Sequence, residues 1–355
     1  MEKKETGSST DKVEYENLRQ KLKDREEMKK YVNLLRVNKI MNEHFELKDF
    51  LDCGGSSNVY LINVNQKKDG KNLKKNVIMK AVISKRNQRE VQKESMILSK
   101  LKNKYIIDFY GATKLKQRPL SFIFMEEAKY GNLRNFQRKI LKRRILSEST
   151  LNYLAAQILE GIHYCHKNKI AHMDIKMHNI TINDSLVTKL IDFSISINYK
   201  NKGPNEKLIL PLKGTNFFMS KEILETAEIK YKDLHKIDLY AFGVVLYNLA
   251  FGVYPYGLTY GDEDNCDTIL KKIKTNELDL TNKMNYSSHF LNFLKGLLEK
   301  DINKRISLNE ALENYWIKGA KLLNNEKEKC YNISNFFSYL LTDHIKIFND
   351  YIKNQ

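Results

Sequence analysis

The spacing of apolar and polar positions changes twice along the chain. Residues 11–43 are dense in Lys, Glu, Leu and Met and contain no Pro or Gly; Leu18, Leu22, Met28 and Leu35 form an irregular stripe, which predicts an exposed helix. From Phe45 the pattern shortens. FELKDFL (45–51), NVYLINV (58–64) and NVIMKAVI (76–83) alternate or run apolar and are rich in β-branched residues, as strands are. Between the last two, the polar QKKDGKNLKK reads as a hairpin loop. A helix over roughly 87–102 follows, then strands near 106–110 and 120–126. From about 132 helices dominate, with a return to strand near 180–191. The tail from 320 is charged and then amphipathic, through Ile333, Phe336, Leu340 and Phe348. No internal repeat is present.

A small strand-rich half followed by a larger helical half predicts an α+β chain of two lobes with a cleft between them. The expected division is an N-terminal charged helical extension (1–44), a strand-rich lobe (45–126), a helical lobe (127–318) and an amphipathic tail (319–355). The most apolar stretch, LYAFGVVLYNLAFGVYPYG (239–257), approaches the length of a membrane span. Asn248 interrupts it, Asp238 precedes it and Pro255 lies near its end, so a helix buried in a large soluble domain fits better.

Composition changes this picture little. Hydrophobic residues make up 42% of the 355 and charged residues 29%, an ordinary globular balance. Cys53, Cys165, Cys266 and Cys330 are far apart and form no CxxC, which points to free thiols in a reducing compartment and no zinc site. The net charge of +18 raises the question of a polyanion surface. Lys outnumbers Arg 50 to 11 and is scattered, so general Lys enrichment is the better reading and no nucleic-acid partner is expected; RKILKRR (138–144) is the best local basic cluster. No leader, lipidation signal or membrane anchor is read, and a cytoplasmic location is expected, with the nucleus left open.

The chemistry concentrates in HMDIKMHNI (172–180). Phosphoryl transfer needs cations, metal-holding carboxylates and positioned backbone N–H groups. Asp174 can accept a hydroxyl proton, Lys176 can steady a moving phosphoryl group, and Asn179 offers a neutral oxygen to Mg²⁺. Eighteen residues after Asp174, Asp192 ends the strand-like run LVTKLIDF. A base and two metal ligands thus fall on one loop–hairpin–loop unit.

Here the sequence resembles the eukaryotic protein kinase family over roughly residues 45–318. HMDIKMHNI is similar to the catalytic loop HRDLKxxN and IDFS to the DFG motif, at the spacing the family keeps. The resemblance implies the two-lobed kinase fold, with a small antiparallel sheet in the first lobe and a mainly helical second lobe. It implies ATP and Mg²⁺ as cofactors, Asp174 and Lys176 as catalytic residues, and Asn179 and Asp192 as metal ligands. VIMK resembles the strand motif VAIK, which makes Lys80 the phosphate-contacting lysine and Glu94 its partner on the next helix. FIFMEEA resembles the hinge, with Met125 as gatekeeper and the backbones of Glu126 and Ala128 facing adenine. Further on, KGTNFFMSKE carries Thr215 and Glu222, KIDLYAFGVVLY carries Asp238, and LLEKDINKRIS carries Arg305. By resemblance Asp238 accepts backbone hydrogen bonds from the catalytic loop and Arg305 pairs with Glu222. His172 and Phe193 occupy packing-spine positions, with Leu98 and Phe109 as partners.

Several positions depart from the family. The glycine-rich loop, GxGxxGxV in the family, reads DCGGSSNV. Asp52 takes the first Gly, Cys53 follows, Gly54 is the second Gly, Gly55 adds flexibility, Ser57 takes the third, and Val59 is kept. Asp52 brings negative charge towards a polyanion. Ile78 replaces the VAIK alanine and Thr181 the apolar floor residue, which predicts a tighter, less apolar adenine slot. Asn132 and His178 stand where basic-substrate kinases carry acids. Ser194 replaces the DFG glycine, and a phosphorylation switch at Ser194 or Ser196 is left open. Met173 replaces the Arg that binds an activation-segment phosphate, and no Ser, Thr or Tyr lies between Tyr199 and Thr215. The run LILPL (208–212) is expected to hold the segment by packing instead.

The leading reading is an ATP-dependent Ser/Thr protein kinase that does not need activation-loop phosphorylation. Lys176 and Thr215 match Ser/Thr rather than Tyr kinases. The competing reading is a pseudokinase acting as a nucleotide-binding or scaffold module, drawn from Asp52, Ser57, Ile78 and Ser194. A third, a phosphotransferase of this fold acting on a small molecule or lipid, fits poorly with the late motifs. The partners expected are a protein substrate with a Ser/Thr acceptor and a protein bound at the N- or C-terminal helices.

Overall fold

The structure is a computed structural model. It describes residues 45–53, 57–68, 71–83, 88–114, 120–140, 146–210, 214–225, 228–262, 265–280 and 286–319. The helix expected over 11–43, the amphipathic tail, and Gly54 and Gly55 lie outside the described residues. Two compact units emerge: the described residues up to Lys102 with Ile107–Glu127, and Asn103–Ile106 with the described residues from Ala128 on.

The first unit is one antiparallel sheet and a helix. Its strands are β1 (Phe45–Cys53), β2 (Ser57–Lys68), β3 (Lys71–Ile83), β4 (Phe109–Lys114) and β5 (Leu120–Glu126), in the order β1-β2-β3-β5-β4. Helix α1 (Gln88–Leu98) packs against β4 and β5. The core is Tyr60, Ile62, Met79, Ala81, Phe122 and Ile123 with Val91, Ile97 and Leu98 of α1. Each of the Ile, Val, Leu, Met and Phe side chains among them contributes about 1.5–3 kcal/mol on burial.

Three expectations shift here. The stretch 66–75 is mostly strand: β2 and β3 pair as far as Lys68 opposite Lys71, which leaves two residues to link them. Those two are Asp-Gly, the pair a two-residue hairpin favours, and strand pairing extends through the lysines. Helix α1 ends at Leu98 instead of 102, because Lys100 N–H turns back to Ile97 O in a tighter turn. The strand near 106–110 starts at Phe109; Ile106 belongs to the other unit, where it bridges Leu190.

The second unit is mainly helical. It contains α2 (Leu133–Asn135), α3 (Glu148–Lys167), α4 (Lys221–Glu225), α5 (Leu234–Phe251), α6 (Cys266–Thr275), α7 (Ser288–Leu297) and α8 (Leu308–Glu313). Short strand pairs punctuate them: β6 (Ile170–Ala171) with β9 (Ile197–Asn198), β7 (Ile180–Ile182) with β8 (Thr188–Leu190), and β10 (Lys207–Ile209) with β11 (Glu228–Lys230). Helix α5 is the apolar run of the sequence. It is buried nearly all round, as its lack of a polar face requires, and ends at Gly252, whose φ of 73° closes the last turn. No described helix is long and apolar enough to cross a membrane. Gly243 lets α7 approach: a Cβ there would lie 2.9 Å from the Leu297 Cβ.

Glu148 ties the base of this unit together. Its carboxylate accepts from Ser287 N–H at 2.6 Å and from the Trp316 indole at 2.8 Å. The expected Arg305–Glu222 pair is present at 2.6 Å, and Arg305 also donates to Glu299 O and Lys236 O. Arg305 is fully buried, so removing Glu222 would strand a charge in the core. Cys165 is buried and Cys266 half-buried, and neither is in a disulfide.

Candidate active site

The loop between β6 and β7 is hung from one carboxylate. Asp238, in the second turn of α5, is buried and accepts the backbone N–H of His172 and of Met173, both at 2.8 Å. His166 at the end of α3 donates its Nε2–H to the same carboxylate at 2.7 Å, and the other ring nitrogen meets the Tyr199 hydroxyl at 3.1 Å. Burial by itself would push the Asp238 carboxyl up. The hydrogen bond and charge of His166, the His172 ring and the Met173 N–H together hold it below its usual value. An acid inside so apolar a helix therefore has a local reason.

The His172 side chain and Ser196, from beyond the loop, brace its backbone. His172 Nε2 lies 3.0 Å from Ile191 O, and Asp174 N–H donates to His172 Nδ1 at 3.3 Å. A carbonyl only accepts, so Nε2 carries the proton. The His172 ring packs on Phe193 with centroids 4.7 Å apart. Ser196, fully buried, donates its hydroxyl to His172 O at 3.0 Å. That burial leaves Ser196 inaccessible as a switch. Met173 and Asp192 both have positive φ, 68° and 64°, a strained backbone for non-glycine residues that surrounding contacts must maintain.

At the loop's centre Asp174 is a hub. Its Oδ2 accepts Asn179 Nδ2 at 2.8 Å and Lys176 Nζ at 2.8 Å. Asn179 Nδ2 also donates to Asp174 O at 2.9 Å. With its amide nitrogen so engaged, the Asn179 side chain has its oxygen left to accept. The backbone O of Asn179 accepts Ile191 N–H at 3.0 Å, which draws the strand end before Asp192 to the loop. Lys176 Nζ reaches Thr215 Oγ1 at 3.0 Å, so the loop also grips the end of the segment that follows Asp192.

Gly214 approaches Asp174 closely, which its neighbours in KGTNFF did not flag. Its φ is +116°, and a Cβ would sit 3.3 Å from Asp174 Oδ1. The signal was a glycine beside Thr215, without meaning until the contact is known.

The other predicted residues divide between the two units. In the first, Lys80 Nζ lies 3.1 Å from each Glu94 carboxylate oxygen, and both side chains are nearly buried. Val59 stands opposite Lys80 across the sheet, and Ile78 opposite Met125. Asp52 is exposed on β1 opposite Val59, Cys53 is opposite Asn58, and Ser57 opens β2 opposite Val82. Glu126 N–H is taken by Asp108 O at 2.9 Å, which leaves at most its carbonyl for a ligand. In the second unit, Ala128 O accepts Gly131 N–H. Asn132 caps α2 by accepting Asn135 N–H at 2.8 Å, so its side-chain oxygen has a structural task. Thr181 pairs with Asn132 and donates its hydroxyl to Lys189 O at 3.2 Å, while His178 is exposed.

In place of the family's arginine, Met173 packs against an apolar cluster of Ala171, Leu210, Met219, Ile229, Tyr231 and Leu234. Ile197, Tyr199 and Leu208 join it from the segment after Asp192. Of the run LILPL, Leu208 is half-buried, Leu210 is buried and Ile209 points out; Pro211 and Leu212 lie outside the described residues.

Residues 45–317 match the protein kinase domain family. The chain is 26% identical over 227 residues to the human NUAK family SNF1-like kinase 1, covering 64% of this chain and 31% of that protein. It is 28% identical over 232 residues to the serine/threonine-protein kinase pakH of Dictyostelium discoideum, 65% of this chain and 42% of that protein. To the maize probable serine/threonine-protein kinase CCRP1 it is 25% identical over 290 residues, 80% of this chain and 44% of that protein. The chain spans less than half the length of these curated relatives. It belongs to the protein kinase family.

Proposed function

We propose that this member of the protein kinase family is an ATP- and Mg²⁺-dependent serine/threonine kinase whose activation segment needs no phosphate. The observation that carries the reading is the Asp174 hub, which holds Lys176 and Asn179 on one carboxylate. Asp174 takes the proton of an acceptor hydroxyl as its oxygen attacks the γ-phosphorus. The new P–O bond forms as the bond to the β-phosphate oxygen breaks, and ADP leaves. Lys176, now between Asp174 and Thr215, moves its ammonium onto the transferring phosphoryl oxygens. Lys80, kept extended by Glu94, orients the nucleotide phosphates.

The donor set fits Mg²⁺, which is held by one or two protein groups plus substrate phosphates. Asp192 gives a carboxylate, and Asn179 gives an oxygen whose partner nitrogen is already bonded. Bound there, the metal neutralises charge developing on the phosphates.

Independence from segment phosphorylation is supported by the apolar cluster that Met173, Leu208 and Leu210 share and by the pairing of β10 with β11. The pseudokinase reading rests on Asp52, Ser57, Ile78 and Ser194. A cytoplasmic site of action is part of the same proposal, supported by unpaired Cys165 and Cys266.

The test is [γ-³²P]ATP transfer to a mixed Ser/Thr peptide library by wild type, Asp174→Asn and Lys80→Met, each before and after phosphatase treatment. Loss of about a hundredfold or more in both variants, with phosphatase-insensitive wild type, is expected. Turnover that survives both substitutions, or a wild type that binds nucleotide and transfers nothing, overturns the enzyme reading. Wild-type activity that falls with phosphatase overturns the independence from phosphate.

A further inference from the structure

A cavity of about 770 Å³ opens in the helical unit, and none of Asp174, Lys176, Asn179 and Asp192 lines it. Its walls come from the end of α3, from Tyr199, Lys200, Lys202 and Pro204, from Tyr231, Lys232 and His235, and from the start of α8. The volume is that of a small-molecule pocket. Lys167, Lys169, Lys200, Lys202 and Lys232 surround it, all exposed, and no Asp or Glu lines it. Glu206 occupies Lys202 at 2.7 Å. Among the described residues, no carboxylate pairs with the other four.

Such a concavity focuses a positive field, and one occupant with several negative charges relieves the repulsion of all four lysines together. Tyr199 and Tyr231 form part of the wall, their rings stacked with centroids 6.5 Å apart. His166 and His235 line the cavity beside them. Burial and the neighbouring His166 push His235 down to about 4, so it is uncharged at neutral pH and the fixed charge belongs to the lysines. Lysine ammoniums are mobile point charges suited to several phosphate oxygens, where a planar arginine fork would select a single geometry. Charge gathered around the rim of one open concavity, rather than along an extended groove, favours a compact ligand over a nucleic-acid strand.

We propose that this cavity binds a small ligand carrying two or more phosphoryl groups, held by Lys167, Lys169, Lys200 and Lys232. Residues 199–204 belong to the segment after Asp192, so occupancy pins that segment against α3 and residues 231–235. The proposal does not rest on catalysis by this chain.

Calorimetric titration of the full chain carrying Lys80→Met, without Mg²⁺, suppresses binding at the nucleotide site. The probes are inositol hexakisphosphate and inorganic tripolyphosphate, a ring and a linear chain, which separate the two sources of clustered phosphate. At about 150 mM salt, where long-range attraction is screened, one probe should bind at micromolar strength. K169Q/K200Q/K232Q should lose about tenfold or more, and the control K100Q/K102Q/K104Q, three exposed lysines elsewhere, less than about twofold. All six are surface lysines, and circular dichroism checks that both variants fold. Hydrogen exchange should slow at residues 199–204 on binding. Equal losses in the two triple variants, no binding by either probe, or tighter binding of a single-stranded RNA with the same variant sensitivity overturns the proposal.

Discussion

Asp238→Asn tests how the catalytic loop is held. Asp238 Oδ2 receives the His172 N–H and the His166 Nε2–H, and Oδ1 receives the Met173 N–H. An asparagine has one oxygen. Its better orientation keeps that oxygen on His172 and His166 and turns the amide nitrogen to the Met173 N–H, so two donors face each other. One orphaned buried donor costs about 1–3 kcal/mol, and the two remaining bonds each weaken by about 1 kcal/mol on losing the charge. Relief of burying a charge offsets part of this, which leaves a net loss of about 3 kcal/mol. Urea unfolding at pH 7 measures it, and hydrogen exchange should rise at residues 172–176. The pH dependence adds a sign. The folded carboxyl lies below its ordinary 3.8, so the stability it contributes is present above about pH 4 and is lost as pH falls further. The gap between wild type and variant should therefore close below pH 4. A variant within about 0.5 kcal/mol of wild type at pH 7 would falsify the view that this carboxylate organises the loop.

Two further outcomes follow from contacts of the same loop. Gly214→Ala forces a Cβ to 3.3 Å from Asp174 Oδ1 at a φ of +116°; kcat should drop about tenfold or more with the ATP KM little changed, and equal kcat would dismiss the contact. Leu210→Ala removes a buried side chain from the cluster that Met173 joins; limited proteolysis should cut residues 199–210 faster, consistent with about 2–4 kcal/mol of lost packing, while unchanged cleavage would show that β10–β11 pairing alone holds the segment.

The sequence made the larger elements and the motif residues legible because both are local. Helix α5 announced itself by an apolar run broken only by Asn248, and Asp238 by being an acid at the head of that run. Asp174, Lys176 and Asn179 lie within six residues, so the loop that carries them also gathers them. What stayed hidden was long-range or polar. The strands through Lys68 and Lys71 have no apolar alternation, and only the Asp-Gly between them hinted at the hairpin. β6, β9, β10 and β11 are two or three residues long, below any periodicity. Asn132 was read only through its family position, and its capping of α2 stayed hidden because a capping asparagine and a binding asparagine read alike. His166 offered no signal at all, since its partner Asp238 is 72 residues away.

The replacement of arginine by Met173 is coherent with its surroundings. An arginine packed against this apolar cluster would need an anion to offset its burial, and the stretch between Tyr199 and Thr215 contains no hydroxyl to carry one. Methionine fills the same space without that requirement, and its flexible thioether tolerates an irregular gap. Tyr199 links this cluster to the rest of the unit. It packs with Met173's cluster on one side, and its hydroxyl meets His166, which bonds the carboxylate that holds the Met173 N–H. The same tyrosine lines the lysine-rimmed cavity. If the segment is held by apolar contacts as proposed, phosphatase treatment leaves it in place, and the proposed anion between Lys169 and Lys200 would act on it through Tyr199.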